Sequence, residues 1–292
     1  MNVKHWMARH AGSLKGKTVA ITGSTGGLGQ ELCRHLLCLG AALILLDRNQ
    51  RKAEALEQAL MAEYPDACIF RIPLDLSDMA SVRSACDALE GREFDVLIHN
   101  AGAYSIPRCI CDTGYDNVFQ INFVSPYYMT CRLLPHLRKR GGRVVAVGSI
   151  AHNYSLTDEK DVDFRTRKKA SRVYGNAKRY LMYGLHELFK QETEVSLAIA
   201  HPGITFTNIT SHYPPLIFAI IKYPMKVIFM RPRAAALSVL RGVFEKSKYR
   251  TWIGPCLFDI WGKPSVKPLK TASNEEIARI DSTARDIYAG LS

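Results

Sequence analysis

The sequence predicts an α/β fold in which a single domain is built on a doubly wound parallel sheet. Three observations carry this. Short apolar runs alternate with amphipathic stretches from Lys17 onward, and strand–helix alternation of that kind buries a parallel sheet under helices on both faces. A glycine-rich turn lies directly between the first apolar run and the first helical stretch. No internal repeat, low-complexity tract or linker breaks the pattern up to about Gly203. Right-handed crossovers between such units give a Rossmann-like arrangement.

Taken in order, Thr18–Thr22 (TVAIT) is a short buried strand, the glycines follow, and residues 30–39 form a helix. Residues 42–46 make a second apolar strand, and residues 50–62 a helix with apolar side chains at helical spacing. Residues 67–73, 94–99, 143–148 and 195–200 supply further strands with helices between them. Beyond Gly203 the character changes. Residues 213–230 (YPPLIFAIIKYPMKVIFM) are strongly apolar but broken by prolines, Lys222 and Lys226. A membrane span needs about 20 largely uninterrupted apolar residues, so a crossing is not expected there. A lid over an apolar substrate pocket, an interfacial membrane contact and a core helix remain open, and the prolines favour a bent lid. The tail from Trp252 reads as loop-rich, and residues 273–289 as a closing helix capped by Ser273 or Asn274. Residues 1–14 read as an N-terminal extension and 204–262 as the lid region of one domain spanning 1–292.

Composition bounds the function. The 292 residues are 47% hydrophobic and 23% charged, an ordinary composition able to bury a large core. A net charge of +12 raises the question of anionic partners, but no nucleic-acid-binding motif is present. The one local basic cluster, Arg165-Thr166-Arg167-Lys168-Lys169, is either a solvated loop or an anion or membrane-surface patch. Eight cysteines are scattered without metal-ligand spacing, so no metal site is expected. The N-terminus lacks the apolar core of a secretory signal, which predicts a reducing, cytoplasmic setting without disulfides.

The chemistry begins at the turn Gly23-Ser24-Thr25-Gly26-Gly27-Leu28-Gly29. Glycines at 23, 27 and 29 allow a tight turn and let a pyrophosphate approach the N-terminus of the next helix. The second strand ends in Asp47-Arg48, where ribose recognition is expected in such a fold. A carboxylate there accepts from ribose hydroxyls and repels a 2′-phosphate, whereas Arg48 would pair with that phosphate. NAD is favoured because the repulsion persists in a partly buried pocket, and NADP stays open. Tyr174 and Lys178, four residues apart, share one face of a predicted helix. An ammonium near a phenol lowers the phenol's pKa and readies it for proton exchange with a substrate oxygen.

TGSTGGLG, Asp75-Leu76, Asn100-Ala101-Gly102, Asn122, Ser149, Tyr174-x-x-x-Lys178 and Pro202-Gly203 together resemble the short-chain dehydrogenase/reductase family across residues 15–207. The stretch 148–178 looks most like the family's retinol-dehydrogenase-like branch, as does the later YRTWIGPCLFDIWGKP, more loosely. The resemblance implies a catalytic tetrad of Asn122, Ser149, Tyr174 and Lys178. Tyr174 would exchange the proton and Ser149 would hold the reacting oxygen. Lys178 would bind the nicotinamide ribose and depress the Tyr174 pKa, and Asn122 would hold a water in a proton relay. Ser24, Thr25 and Leu28 belong to the cofactor turn, Asp75 would meet the adenine, and Asn100, Ala101 and Gly102 would line the cofactor. Pro202, Gly203, Ile204 and Thr207 would meet the nicotinamide carboxamide. Gly175, inside the helix, departs from good helix formers at a cost of about 1 kcal/mol relative to Ala.

The resulting expectation is an NAD(P)-dependent alcohol dehydrogenase or ketone reductase acting on a bulky apolar substrate, retinoid-, steroid- or lipid-like. The family also implies a homo-oligomer. Two other classes are weighed against it: a catalytically silent nucleotide sensor, and a peripheral membrane scaffold that docks through 213–230. Intact Ser149, Tyr174 and Lys178 argue against the first.

Overall fold

The structure, a computed structural model, describes residues 2–204 and 230–292. Its sheet has eight strands in the order β3-β2-β1-β4-β5-β6-β7-β8. These are β1 (Thr18–Thr22), β2 (Ala42–Asp47), β3 (Ile69–Pro73), β4 (Val96–His99), β5 (Arg143–Val147), β6 (Ser196–Ala200), β7 (Thr251–Leu257) and β8 (Trp261–Pro268). All neighbours pair in parallel except β7 and β8, which form an antiparallel hairpin. Chain order reverses direction at β1/β4, the switch point where ligands bind in doubly wound sheets.

The described helices are α1 (Val3–His10), α2 (Gly27–Cys38), α3 (Gln50–Glu63), α4 (Met79–Glu90), the short α5 (Asn117–Phe119), α6 (Ser125–Arg138), α7 (Ala170–Leu188), α8 (Pro232–Phe244) and α9 (Asn274–Leu291). A π turn, Gln120–Val124, joins α5 to α6, and a 3₁₀ turn, Ile150–Tyr154, follows β5. Side chains on one face of the sheet pack with α4, α6, α7 and α9; those on the other pack with α1, α2, α3 and α8. Within β1, Ala20 faces the first layer while Val19 and Ile21 face the second. Both faces of a central strand are therefore apolar, and each fully buried Leu or Ile contributes about 1.5–3 kcal/mol. Local signals start the helices. Asn2, Asn49, Asp78 and Ser273 each accept a backbone N–H of the turn they open.

Two expectations are corrected. The helix after the glycine turn starts at Gly27 rather than residue 30, because the last glycines themselves form its first turn. The tail from Trp252 is not loop-rich: it is the β7–β8 hairpin, which extends the sheet. Gly254, Pro255, Gly262, Pro264 and Pro268 disguise those strands, yet proline is tolerated on an edge strand and at a bulge. The pairing indeed shifts register between Pro255 and Leu257. Of the expected lid, residues 213–229 and Thr207 lie outside the described residues. Among the described residues no helix is long and apolar enough to cross a membrane.

Candidate active site

Parallel register aligns the C-terminal ends of the central strands. Thr22 lies opposite Leu46, Ile98 opposite Val145, and Val147 opposite Ala200. The loops leaving β1, β2, β4, β5 and β6 therefore emerge along one edge of the sheet, and nearly every residue singled out in the sequence lies there.

The glycine turn is held by its neighbours. Gly23 adopts φ 68°, and a Cβ on it would lie 2.9 Å from Ala101 Cα. A Cβ on Gly29 would lie 2.4 Å from Gly23 O, so that position excludes any side chain. Asn100 Nδ2 donates to Thr22 O at 3.0 Å and Gly23 O at 2.9 Å, tying β4 to the turn. Thr22 Oγ1 accepts from Asn100 N at 3.1 Å and Ala101 N at 3.0 Å. Gly26, which caps α2, offers no side chain to its first-turn N–H groups. A tight turn, a close backbone approach and an uncapped helix start together fit a dinucleotide pyrophosphate.

Asp47 sits at the end of β2, 3% exposed, and belongs to this turn. Its carboxylate accepts from the Ser24 hydroxyl, from Thr25 N at 3.1 Å and from Thr25 Oγ1 at 2.9 Å. Helix capping is not its role, since Asn49 caps α3. Ser24 and Thr25 thus join Asp47 in one hydrogen-bonded group, and Arg48 beside it is exposed. Asp75, half-buried beyond β3, makes an Asx turn with Ser77, accepting from its N–H at 2.9 Å and its hydroxyl at 2.6 Å. Leu76 is buried, and its carbonyl accepts from the Ser125 hydroxyl at 2.6 Å.

Ser149, Tyr174 and Lys178 meet where β5 ends against α7. Ser149 caps the 3₁₀ turn, and its hydroxyl bonds the Tyr174 phenol oxygen. Lys178 Nζ donates to Val147 O at 2.9 Å and stands 5.6 Å from the centre of the Tyr174 ring. Tyr104, in the loop after β4, meets that ring edge-on, with centroids 5.3 Å apart. Burial pushes the Tyr174 phenol up to about 12, and only the Ser149 hydrogen bond opposes it. Burial also pushes the Lys178 ammonium down to about 7. Among the protein's own groups desolvation therefore dominates at Tyr174, and the expected lowering by Lys178 does not offset it.

Asn122 lies in the π turn with its amide fully engaged. Its Nδ2 donates to Ala103 O and Val118 O, both at 2.8 Å, and its Oδ1 accepts from Ala103 N at 3.3 Å. Gly102 separates it from Lys178: a Cβ there would lie 2.8 Å from Asn122 Oδ1 and 3.6 Å from Lys178 Nζ. Gly175 has a reason to be glycine, since a Cβ would lie 2.4 Å from Ala151 O. Pro202 is buried, Gly203 adopts φ 83°, and Ile204 O accepts from Met230 N at 3.0 Å. Thr22, Tyr104, Arg179 and Glu276 were missed as site-shaping residues. Thr22 sat inside the quoted glycine motif, whereas the other three carry no local signature.

A glycine turn opening a helix at the switch point, beside a serine–tyrosine–lysine group, defines a nucleotide-dependent oxidoreductase. Comparison with known proteins agrees. The family model for short chain dehydrogenase matches residues 17–160. Short-chain dehydrogenase TIC 32 A of Brassica napus is 32% identical over 221 residues, 70% of this chain and 68% of that protein. Retinol dehydrogenase 14 of Mus musculus is 32% identical over 69% of this chain and 65% of its own length. Polyprenol dehydrogenase of Mus musculus is 25% identical over 90% of this chain and 81% of that protein. An uncharacterised protein of Mycobacterium paratuberculosis shares the fold at TM-score 0.74 and 25% identity, over 98% of this chain and 97% of that one. The chain belongs to the short-chain dehydrogenase/reductase family. It is an NAD(P)-dependent alcohol dehydrogenase/reductase.

Proposed function

We propose that this chain interconverts a bulky apolar alcohol and its carbonyl, with Tyr174 as proton donor and acceptor. The juxtaposition of Tyr174, Ser149 and Lys178 beside the glycine turn carries this reading. Nicotinamide dinucleotide supplies the two-electron chemistry when bound, taking hydride from the alcohol carbon or returning it. The protein's part is position and protons. The Ser149 hydroxyl and the Tyr174 phenol converge, so a substrate oxygen between them receives two hydrogen bonds. In reduction the Tyr174 proton passes to that oxygen; in oxidation the alcohol proton passes to Tyr174. Lys178, between Val147 and Gly102, holds the ribose. The Asn122 side chain is satisfied by the backbone, so its relay water would be held by a carbonyl of the π turn, where the regular helical ladder is interrupted.

The apolar substrate class is supported by the relatives named for retinol and polyprenol and by the apolar composition of 213–230. The cofactor reading is NAD: the buried Asp47 carboxylate lies within the turn group and opposes a 2′-phosphate nearby. The test is a panel of long-chain and small polar alcohols, followed at the nicotinamide absorbance, with Tyr174→Phe alongside. Turnover of the apolar members, lost by about 10²–10⁴-fold in Tyr174→Phe with dinucleotide binding retained, is the expected result. Unchanged activity in Tyr174→Phe would support the silent-sensor reading instead. For the cofactor, Arg48→Ala should leave NAD binding intact. Tighter binding of NADP than NAD by wild type overturns the NAD assignment.

A further inference from the structure

The tip of the β7–β8 hairpin is built in an uncommon way. Ile260 N donates to Leu257 O at 3.0 Å, and the two residues between them are left-handed, Phe258 at φ 53° and Asp259 at φ 56°. Both lie in the three-residue loop between the paired Leu257 and Trp261, where left-handed positions ordinarily select Gly, Asn or Asp. A phenylalanine is strained there. Inside the chain the strain gains little contact: Phe258 is 81% exposed, more than any other large hydrophobic among the described residues. Leu257 is 54% exposed and Trp261 37%.

The tip is nevertheless rigidly attached. His201 Nε2 donates to Asp259 O at 3.0 Å, and Lys267 Nζ donates to the Asp259 carboxylate at 2.7 Å and to Pro255 O at 2.5 Å. Ile260 O lies against Gly203, where a Cβ would be 2.7 Å away. The apolar tip therefore stands at the same edge of the sheet as the candidate site. At the tip the one carboxylate, Asp259, is neutralised by Lys267. Lys263, exposed, lies two residues past Trp261 on the same strand.

The exposed fractions correspond to roughly 350 Å² of apolar surface, taking large side chains at about 150–250 Å² each. A specific protein interface needs about 800 Å² per partner. A lipid surface does not need that area, because a few aromatic side chains and neighbouring cations suffice to anchor at the headgroup level. We propose that the β7–β8 tip is a membrane anchor, in which Phe258, Leu257 and Trp261 enter the headgroup–acyl boundary of an anionic bilayer and Lys263 meets its phosphates. This does not rest on the chemistry assigned to the site, but it would bring the site's mouth to the phase where an apolar alcohol dissolves.

The test uses the full chain with vesicles of phosphatidylcholine alone or mixed with phosphatidylglycerol. Wild type should sediment with the anionic vesicles, less so as salt rises. Phe258→Glu should weaken that partition by about tenfold or more, the equivalent of losing one buried aromatic side chain. Phe258→Asn should bind as poorly while melting no lower than wild type, since Asn accepts the left-handed conformation; this separates lost anchoring from lost folding. Failure of wild type to bind anionic vesicles overturns the proposal, as does undiminished binding by Phe258→Glu. Equal binding to neutral vesicles overturns it too. A dimer in sedimentation velocity that Phe258→Glu dissolves, without vesicle binding, would assign the tip to a protein contact instead.

Discussion

Glu276→Gln should cost this protein much of its stability and part of its activity, for reasons that lie in one buried ion pair. The Arg179 guanidinium, 1% exposed, grips the Glu276 carboxylate, 7% exposed, through Nε–Oε1 and Nη2–Oε2 contacts both of 2.6 Å. Arg179 Nη1 also donates to His152 O at 3.0 Å and to Thr271 Oγ1 at 3.2 Å. Glu276 Oε1 accepts from Thr157 N at 3.0 Å and Thr157 Oγ1 at 3.1 Å. The pair thus fastens α9 to α7 and to the first part of the loop that leaves Ser149, at His152 and Thr157, and His152 Nδ1 bonds back to Ser149 O at 2.7 Å. Removing one partner of a buried pair costs about 3–5 kcal/mol, because the other charge stays buried. A glutamine keeps one acceptor, which sets the expectation at the lower end, a fall in Tm of roughly 6–12 °C at about 2–4 °C per kcal/mol. Arg179→Met with Glu276→Met removes both charges and should recover most of that Tm. It should not recover kcat/KM, expected to remain about 10–100-fold low, because His152 O and Thr157 lose their partners and a misplaced reacting group is that costly. The pH dependence has a definite sign. Burial raises the Glu276 pKa, but the Arg179 fork and the Thr157 donors bring it below the usual carboxylate range. Its stabilisation is present above the unfolded value of about 4.3 and is lost as pH falls through the lower folded value. Glu276→Gln should therefore flatten the acid limb of a Tm–pH curve. A variant melting within about 1 °C of wild type, well under the shift that 1 kcal/mol produces, would refute the reasoning.

Two further outcomes are expected. Gly175→Ala should gain about 1 kcal/mol in helix propensity but lose more to the clash at Ala151 O, for a net destabilisation of about 1–2 kcal/mol in urea unfolding; a stabilised variant would show that the loop after β5 yields freely. Lys178, pushed down to about 7 by burial, binds a proton less readily folded than unfolded between that pH and about 10.4. Unfolding free energy of wild type should then rise with pH across that window, by up to about 1.4 kcal/mol per unit, relative to Lys178→Met. Denaturant titrations at several pH values without added nucleotide would show parallel curves if burial does not disfavour the charge.

The parallel core and the site's edge were legible because both rest on local patterns. TVAIT, ALILLD and RVVAV are strands by apolarity alone, and the glycine turn announces the helix that follows. The hairpin was not legible, since its prolines argue against strands until an edge position is known. Nor was the Arg179–Glu276 pair, whose partners lie 97 residues apart and form no motif. Ser273-x-x-Glu276 instead looks like a reciprocal helix cap. Ser273 does cap α9, but the Glu276 carboxylate is committed to Arg179 and Thr157. The basic cluster divides likewise: Arg165 and Arg167 brace Asp163 and Asp158, while Lys168 and Lys169 stay exposed.

Spacing alone said that Tyr174 and Lys178 share a helix face; it could not say how much water either keeps. That quantity decides the electrostatics. With both groups buried, desolvation works against each charged form, raising the phenol and lowering the amine. The pair then holds a proton on Tyr174 at neutral pH, ready to be given to a carbonyl oxygen. In the protein alone the proton-donating direction needs no prior ionisation, whereas accepting a proton from an alcohol requires Tyr174 to lose its own first. Any further positive charge brought beside the pair would favour the phenolate and ease that step, while a mere gain in burial would oppose it. The four-residue spacing therefore supplies the geometry, and how much water each group loses comes from the packing of α7 against the loop after β5.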